Sequence, residues 1–318
     1  MIYALAITGP TASGKTAMSL EVAEGLGCEI ISCDSMQIYR GMDIGTAKAT
    51  VDERARVPHH LIDILSPNEN YSAESYRRDA MAAARDITAR GKIPLFVGGT
   101  GLYIDTLTRG VSAEVPESDP EYRERLLSKT PDELWERLFA VDPESAEKTH
   151  KNNVKRVIRA LEIYDKTGRT KSYFDALSKE AATDIKVGML TVDFHDRETL
   201  YGRVDGRVDE MLSSGLLDEV KSLYESGVLD GKNTASQAIG YKELIGVIEG
   251  KCSLETAVEE LKLATRRYAK RQLTWFRHND AVRIFADRED GLLRPGLELA
   301  AEALTEAERL FEKIKNEI

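Results

Sequence analysis

Gly9-Pro10-Thr11-Ala12-Ser13-Gly14-Lys15-Thr16 spells G-x-x-x-x-G-K-T between an apolar run, Ile2 to Thr8, and a helix-patterned run, Thr16 to Leu26. This pattern constrains the fold tightly because it works only as the turn joining a strand to a helix. Its glycines let successive main-chain N–H groups curl around a phosphate, and the helix N-terminus adds partial positive charge. Lys15 supplies a point charge to the outer phosphate, and the Thr16 hydroxyl is a ligand for Mg2+. A glycine-rich turn with an incidental lysine is the bland alternative. Both glycines, the Lys-Thr pair and the strand–helix setting argue against it. Gly9 to Thr16 is expected to bind a di- or triphosphate.

The first hundred residues alternate strand and helix signals. Strands are expected at Ile2–Thr8, Glu29–Cys33, His59–Leu65 and Ile93–Val97. Gly27 ends the first helix, and a second runs from its Ser72 cap through Arg90 to Gly91. Alternation of this kind predicts an α/β fold with a parallel sheet, whose ligands gather at the carboxyl ends of the strands. The phosphate loop, Asp34-Ser35 and Gly98–Gly101 all fall at such ends and should lie together. From about Ser112 the strand signals vanish. Pro116, Pro120, Pro131 and Pro143 punctuate amphipathic helices, and Val154, Val157, Ile158 and Leu161 form an i, i+3, i+4, i+7 stripe. A strand signal returns at Val187–Phe194. The reading is a core of residues 1–111 and 186–318 carrying a helical insertion, 112–185.

Net charge is −10, which by itself disfavours a polyanionic partner, but its distribution is uneven. Lys148 to Lys171 holds eight Lys/Arg against two acids, and Lys262 to Arg283 seven against one. Such patches are electrostatic footprints for nucleic acid or solvated helix faces. No apolar run approaches the ~18 residues a membrane helix needs. Three cysteines, Cys28, Cys33 and Cys252, form no C-x-x-C pair, which disfavours a disulfide framework and a zinc site. A cytoplasmic protein without membrane contact is expected.

Asp34 follows the second strand directly. A carboxylate there can act as a base, ligate magnesium or cap the next turn, and capping is the commonest of these. The fourth strand ends in Gly98-Gly99, without the Asp that holds magnesium in many ATPases and GTPases. The site reads as phosphate capture beside a base, with no conventional hydrolysis apparatus. Arg203 and Arg207, at i and i+4, form a fork suited to an anionic leaving group. Equally, they could pair with Asp205 and Asp209 on the surface.

Eight segments occur in an order that carries a resemblance. They are the phosphate loop, Asp34-Ser35-Met36-Gln37-Ile38-Tyr39, Asp43–Lys48, His59–Asp63 and Gly98-Gly99-Thr100-Gly101-Leu102-Tyr103. Lys155–Glu162, Gln237–Glu243 and Tyr268–Phe276 follow. With these the chain resembles the tRNA dimethylallyltransferase family from about Ile2 to Phe285. Two departures stand out: Ala49 and Lys151 occupy positions where family members often have proline.

The resemblance implies a P-loop NTPase-like α/β core. It also implies transfer of a dimethylallyl group from dimethylallyl diphosphate to the exocyclic amine of the adenosine just 3′ of the anticodon in tRNA, with Mg2+. By that analogy Asp34 is the base, Thr100 fixes the amine, and Arg203 and Arg207 assist the departing diphosphate. The implied tRNA contacts are Asp34, Ser35, Met36, Gln37, Thr100 and Arg123, with Lys155, Arg156, Val157, Ile158 and Arg159 on an insertion that clamps the anticodon stem-loop. A monomer is expected. The strongest rival is a phosphate-loop kinase of a small metabolite or nucleotide, which leaves the basic patches unexplained; a nucleotide switch comes third.

Overall fold

The computed structural model describes residues 1–108, 115–116, 119–180, 183–229, 231 and 233–316. The expected boundary at residues 111 and 112 lies outside them. The chain divides into two compact units, Met1–Leu107 with Asp184–Ile318, and Thr108–Thr183.

In the first unit six strands form one sheet: β1 (Ile2–Thr8), β2 (Cys28–Ser32), β3 (His59–His60), β4 (Ile93–Gly98), β5 (Ile185–Asp193) and β6 (Val282–Phe285). Their order is β3-β2-β4-β1-β5-β6, and every pairing is parallel. β1 is central, and its unbroken apolar run suits a strand covered on both faces. Leu5 and Ile7 pack with Met18, Leu20 and Val22 of the Lys15–Leu26 helix and with Leu299, Ala303 and Ala307 of the Gly296–Asn316 helix. Ala4 and Ala6 face Tyr76, Ala80 and Ala84 of the Ala73–Ala89 helix. Ser72 caps that helix by accepting the Ser75 N–H. A third cluster joins Ile38, Tyr39 and Met42 to the helices Leu216–Glu225, Tyr241–Ile248 and Leu254–Phe276.

Two strands differ from expectation. β3 stops at His60 instead of Leu65, because Leu61 (φ 60°) and Asp63 (φ 57°) turn left-handed and leave the ladder. Asp63 is held there by Lys48 and Arg54. β6 was not anticipated; its four residues extend the edge beyond β5.

The second unit is helical among its described residues. Its helices are Pro120–Leu126, Pro131–Val141, Pro143–Glu147, Val154–Thr167 and Lys171–Glu180. Three of the prolines thus start helices, where a missing N–H costs nothing, and Asp119, Thr130 and Asp142 cap them. Leu134, Leu138, Val157, Ile158 and Leu161 form the core. Among the described residues no helix is long and apolar enough to cross a membrane.

Candidate active site

The loop after β1 reverses over Gly9 (φ 138°), Ala12 (φ 61°) and Gly14 (φ 89°). At Gly9 a Cβ would lie 2.7 Å from the Val192 carbonyl oxygen, so only glycine fits. Lys15 Nζ donates to the Pro10 carbonyl at 2.5 Å, curled over its own loop. Burial, reinforced by the neighbouring Arg207 charge and opposed by Asp34, pulls the Lys15 ammonium down to about 7.

The carboxyl ends of β2 and β4 meet closely. A Cβ at Gly98 would lie 2.3 Å from the Cys33 carbonyl oxygen, and the Thr100 N–H donates to that oxygen at 3.1 Å. Thr100 Oγ1 in turn accepts the Ser35 N–H at 3.1 Å. Asp34 Oδ1 accepts the N–H groups of Met36 (2.8 Å) and Gln37 (3.4 Å). The carboxylate therefore caps its turn, and among the described residues Oδ2 has no hydrogen-bond donor.

Arg203 and Arg207 project from the Arg197–Ser213 helix toward the loop, not toward Asp205 and Asp209. Those two acids pair instead with Arg266 and Lys262. Arg203 Nε donates to the Ala12 carbonyl at 2.6 Å, bracing the strained residue. Arg207 Nε is buried with no hydrogen-bond partner among the described residues. Burial lowers its pKa, and the Asp34 charge pulls against that.

Lys15, Thr16, Asp34, Arg203 and Arg207 line one cavity of about 770 Å³. Ser35, Met36 and Gln37 line it too, as does Gly99; Thr100 does not. Gln37 is already committed: Oε1 accepts from Ser32 Oγ, and Nε2 donates to the Thr46 and Ala47 carbonyls. Tyr268, whose hydroxyl faces Thr100 and Gln272, is a further wall.

Sequence reasoning missed two anchors here. Glu219 accepts the N–H groups of Asp43, Ile44 and Gly45 and the Tyr241 hydroxyl, clasping the loop that holds Gln37. Gln272 joins Thr11 to Gly99. Gln272 stands inside a segment that drew notice, whereas nothing in the sequence singled out Glu219.

In the helical unit, Lys155 and Arg156 are exposed. Arg123 and Arg159 are not free cations: both bind the Glu162 carboxylate, which is 0% exposed. Arg159 also donates to the Pro116 carbonyl. Val157 and Ile158 are core side chains with 0% and 2% exposure. Their side chains face the core of the helical unit, which leaves the main chain as the part of these two residues that a tRNA could touch.

A family model described as IPP transferase matches residues 37–279, and one described as isopentenyl transferase matches residues 2–63. A tRNA dimethylallyltransferase of Anoxybacillus flavithermus is 47% identical over 285 residues, covering 89% of this chain and 90% of that protein. The chain belongs to the tRNA dimethylallyltransferase family. A second family member, from Bacillus velezensis, is 48% identical over 281 residues, 87% of this chain and 88% of its own. Among solved structures of the family, the tRNA isopentenylpyrophosphate transferase of Staphylococcus epidermidis aligns at TM-score 0.70 and 40% identity over 97% of this chain and 99% of that one. A eukaryotic dimethylallyltransferase described as acting on tRNA aligns at TM-score 0.78 and 33% identity, covering 90% of this chain and 74% of its own.

Proposed function

We propose that this chain transfers the dimethylallyl group of dimethylallyl diphosphate to the exocyclic amine of the adenosine just 3′ of the anticodon, giving N6-(dimethylallyl)adenosine in tRNA. One observation carries the reading. Two partly buried cations, Lys15 and an Arg207 whose buried Nε has no hydrogen-bond partner among the described residues, share a cavity with a carboxylate that keeps one oxygen free. Cations so desolvated call for an anion, and a diphosphate at the loop amides supplies it.

The adenine amine attacks the first carbon of the dimethylallyl group as that carbon's bond to the diphosphate oxygen breaks. Both electrons of the breaking bond leave with the diphosphate, whose growing charge Lys15, Arg207 and the loop N–H groups stabilise. An adenine amine is weakly nucleophilic because its lone pair is delocalised into the ring. The Asp34 carboxylate accepts its proton as the carbon–nitrogen bond forms. Thr100 orients that carboxylate indirectly, through its bond to Ser35. Arg203 acts on the loop by bracing Ala12.

Magnesium fits as a partner of the diphosphate more than of the protein. Among the described residues no three His, Cys, Asp or Glu side chains cluster as a cage, whereas Thr16 lines the cavity beside Lys15. Mg2+ commonly takes few protein ligands and several phosphate and water oxygens. Thr16 would hold it, and the ion would neutralise diphosphate charge.

The acceptor base must leave its stack, which is cheap in an unpaired anticodon loop. Exposed Lys155 and Arg156 are the phosphate contacts we assign to the helical unit as it clamps the anticodon stem. On this reading the enzyme acts as a monomer in the cytoplasm, where tRNA is found. The test is mass analysis of tRNA nucleosides after incubation with the protein, Mg2+ and dimethylallyl diphosphate. A dimethylallyl-sized gain on adenosine without ATP is expected. Phosphoryl transfer from ATP with no prenyl transfer overturns the reading in favour of a kinase.

A further inference from the structure

Gln272 lies on the Leu254–Phe276 helix and is only 6% exposed. Its Oε1 accepts the Thr11 N–H at 2.8 Å, and its Nε2 donates to the Gly99 carbonyl at 2.9 Å. One amide thus spans two loops that do not adjoin in sequence. On one side is the phosphate loop, at the residue before left-handed Ala12. On the other is the residue before Thr100, which holds the Ser35 N–H next to Asp34. The fit is tight: a Cβ at Gly99 would lie 2.1 Å from Gln272 Nε2.

We propose that Gln272 is a positioning residue that sets the separation between the diphosphate-binding loop and the Asp34–Thr100 edge. It lines the same cavity and acts through the two loops it joins. Its amide fits this task because it donates and accepts at once, whereas a carboxylate would only accept and an ammonium only donate. Displacement transfer needs the departing oxygen, the carbon and the amine in line, so an error in that separation lowers the chemical step more than either substrate's binding. The inference rests on the transferase reading of the same site.

The test is single-turnover transfer to an anticodon stem-loop at saturating dimethylallyl diphosphate, with dissociation constants measured separately. Gln272→Met is isosteric and lacks both hydrogen bonds; it should slow transfer by roughly 10–100-fold while both dissociation constants stay nearly unchanged. Gln272→Glu, which retains the bond from Thr11 alone, should fall between Met and wild type. Gly99 has no left-handed φ, so Gly99→Ala acts chiefly by pushing the Gln272 amide aside and should show a similar loss. In the Gln272→Ala background that methyl enters vacated space, so the double variant should be no slower than the slower single variant. Additive losses, or slowing explained wholly by weaker binding, overturn the proposal. Should Gln272→Met not fold, Gly99→Ala and Gln272→Glu make the same comparison. Hydrogen exchange at the Thr11 amide separates the two ideas: faster exchange in Gln272→Met with an inactive wild type sinks the transferase reading alone, and unchanged exchange sinks the bridge itself.

Discussion

Oδ1 of Asp34 accepts the main-chain N–H of Met36 at 2.8 Å. The residue proposed as base is therefore also the cap of its own turn. The two roles use different oxygens, and the capping bond fixes the direction in which the other oxygen points.

That division makes Asp34→Asn informative. An asparagine can still accept from Met36 with Oδ1, so fold and tRNA binding should survive. The lost general base should lower single-turnover transfer ~10²–10⁴-fold. Lost tRNA binding with an undiminished rate for bound RNA would remove Asp34 from the chemistry.

Lys15 predicts a proton signature. With its ammonium drawn down to about 7 by burial and by Arg207, the lysine is partly neutral in the ligand-free protein near neutral pH. Diphosphate favours the charged form, so binding should take up protons above that value, and calorimetry at about pH 8 in buffers of differing ionisation enthalpy should read the uptake. Lys15→Met should abolish this lysine's share. The lysine binds fewer protons folded than unfolded between about 7 and its ordinary 10.5. Its contribution to ligand-free stability therefore rises with pH across that window.

The two kinds of cation in the helical unit should separate cleanly. Burial pushes the Glu162 carboxyl up, but hydrogen bonds from Arg123 and Arg159 and from the Asp119 N–H more than offset it and hold the group charged. Glu162→Ala strands both guanidinium groups and should cost roughly 3 kcal/mol of unfolding free energy, a low value for a buried pair because both arginines remain partly solvated. Lys155→Ala and Arg156→Ala should leave unfolding unchanged and each flatten the salt dependence of tRNA affinity by about one ion. An unchanged salt slope would make them merely solvated.

Glu219 should behave as a clasp. Replacing it by alanine releases the N–H groups of Asp43, Ile44 and Gly45 together, at a cost of roughly 2 kcal/mol or more. Hydrogen exchange should accelerate at those three amides. Retained protection there would show that the Tyr241 wall, against which a Cβ at Gly45 would clash at 2.6 Å, suffices to hold the loop.

What could be read beforehand divides along physical lines. The phosphate loop and the strand ends are legible because their signals are local: glycines at a turn, apolar runs, a helix behind. The truncation of β3 is not, since left-handed Asp63 is held by a salt bridge with Lys48 from a separate loop. Arg123 and Lys155 look alike as letters, yet one lies against a buried carboxylate and the other in solvent. Arg203 and Arg207 were equally balanced until Arg266 and Lys262 claimed their alternative partners. Gln272 depends on contacts 173 and 261 residues away, a range at which composition and spacing carry no information.

The helical unit leaves the chain after Leu107 and hands it back at Asp184, one residue before β5. A parallel sheet must make a long crossover between successive strands in any case. Here that obligatory detour has been expanded into a body with its own core. Length or charge there can drift, or be exchanged wholesale, without disturbing a single rung of the sheet at whose edge the acid, the lysine and the two arginines gather. With the helical unit in the tRNA-holding role proposed for it, grip on the RNA and bond-making chemistry can evolve at different speeds within one polypeptide.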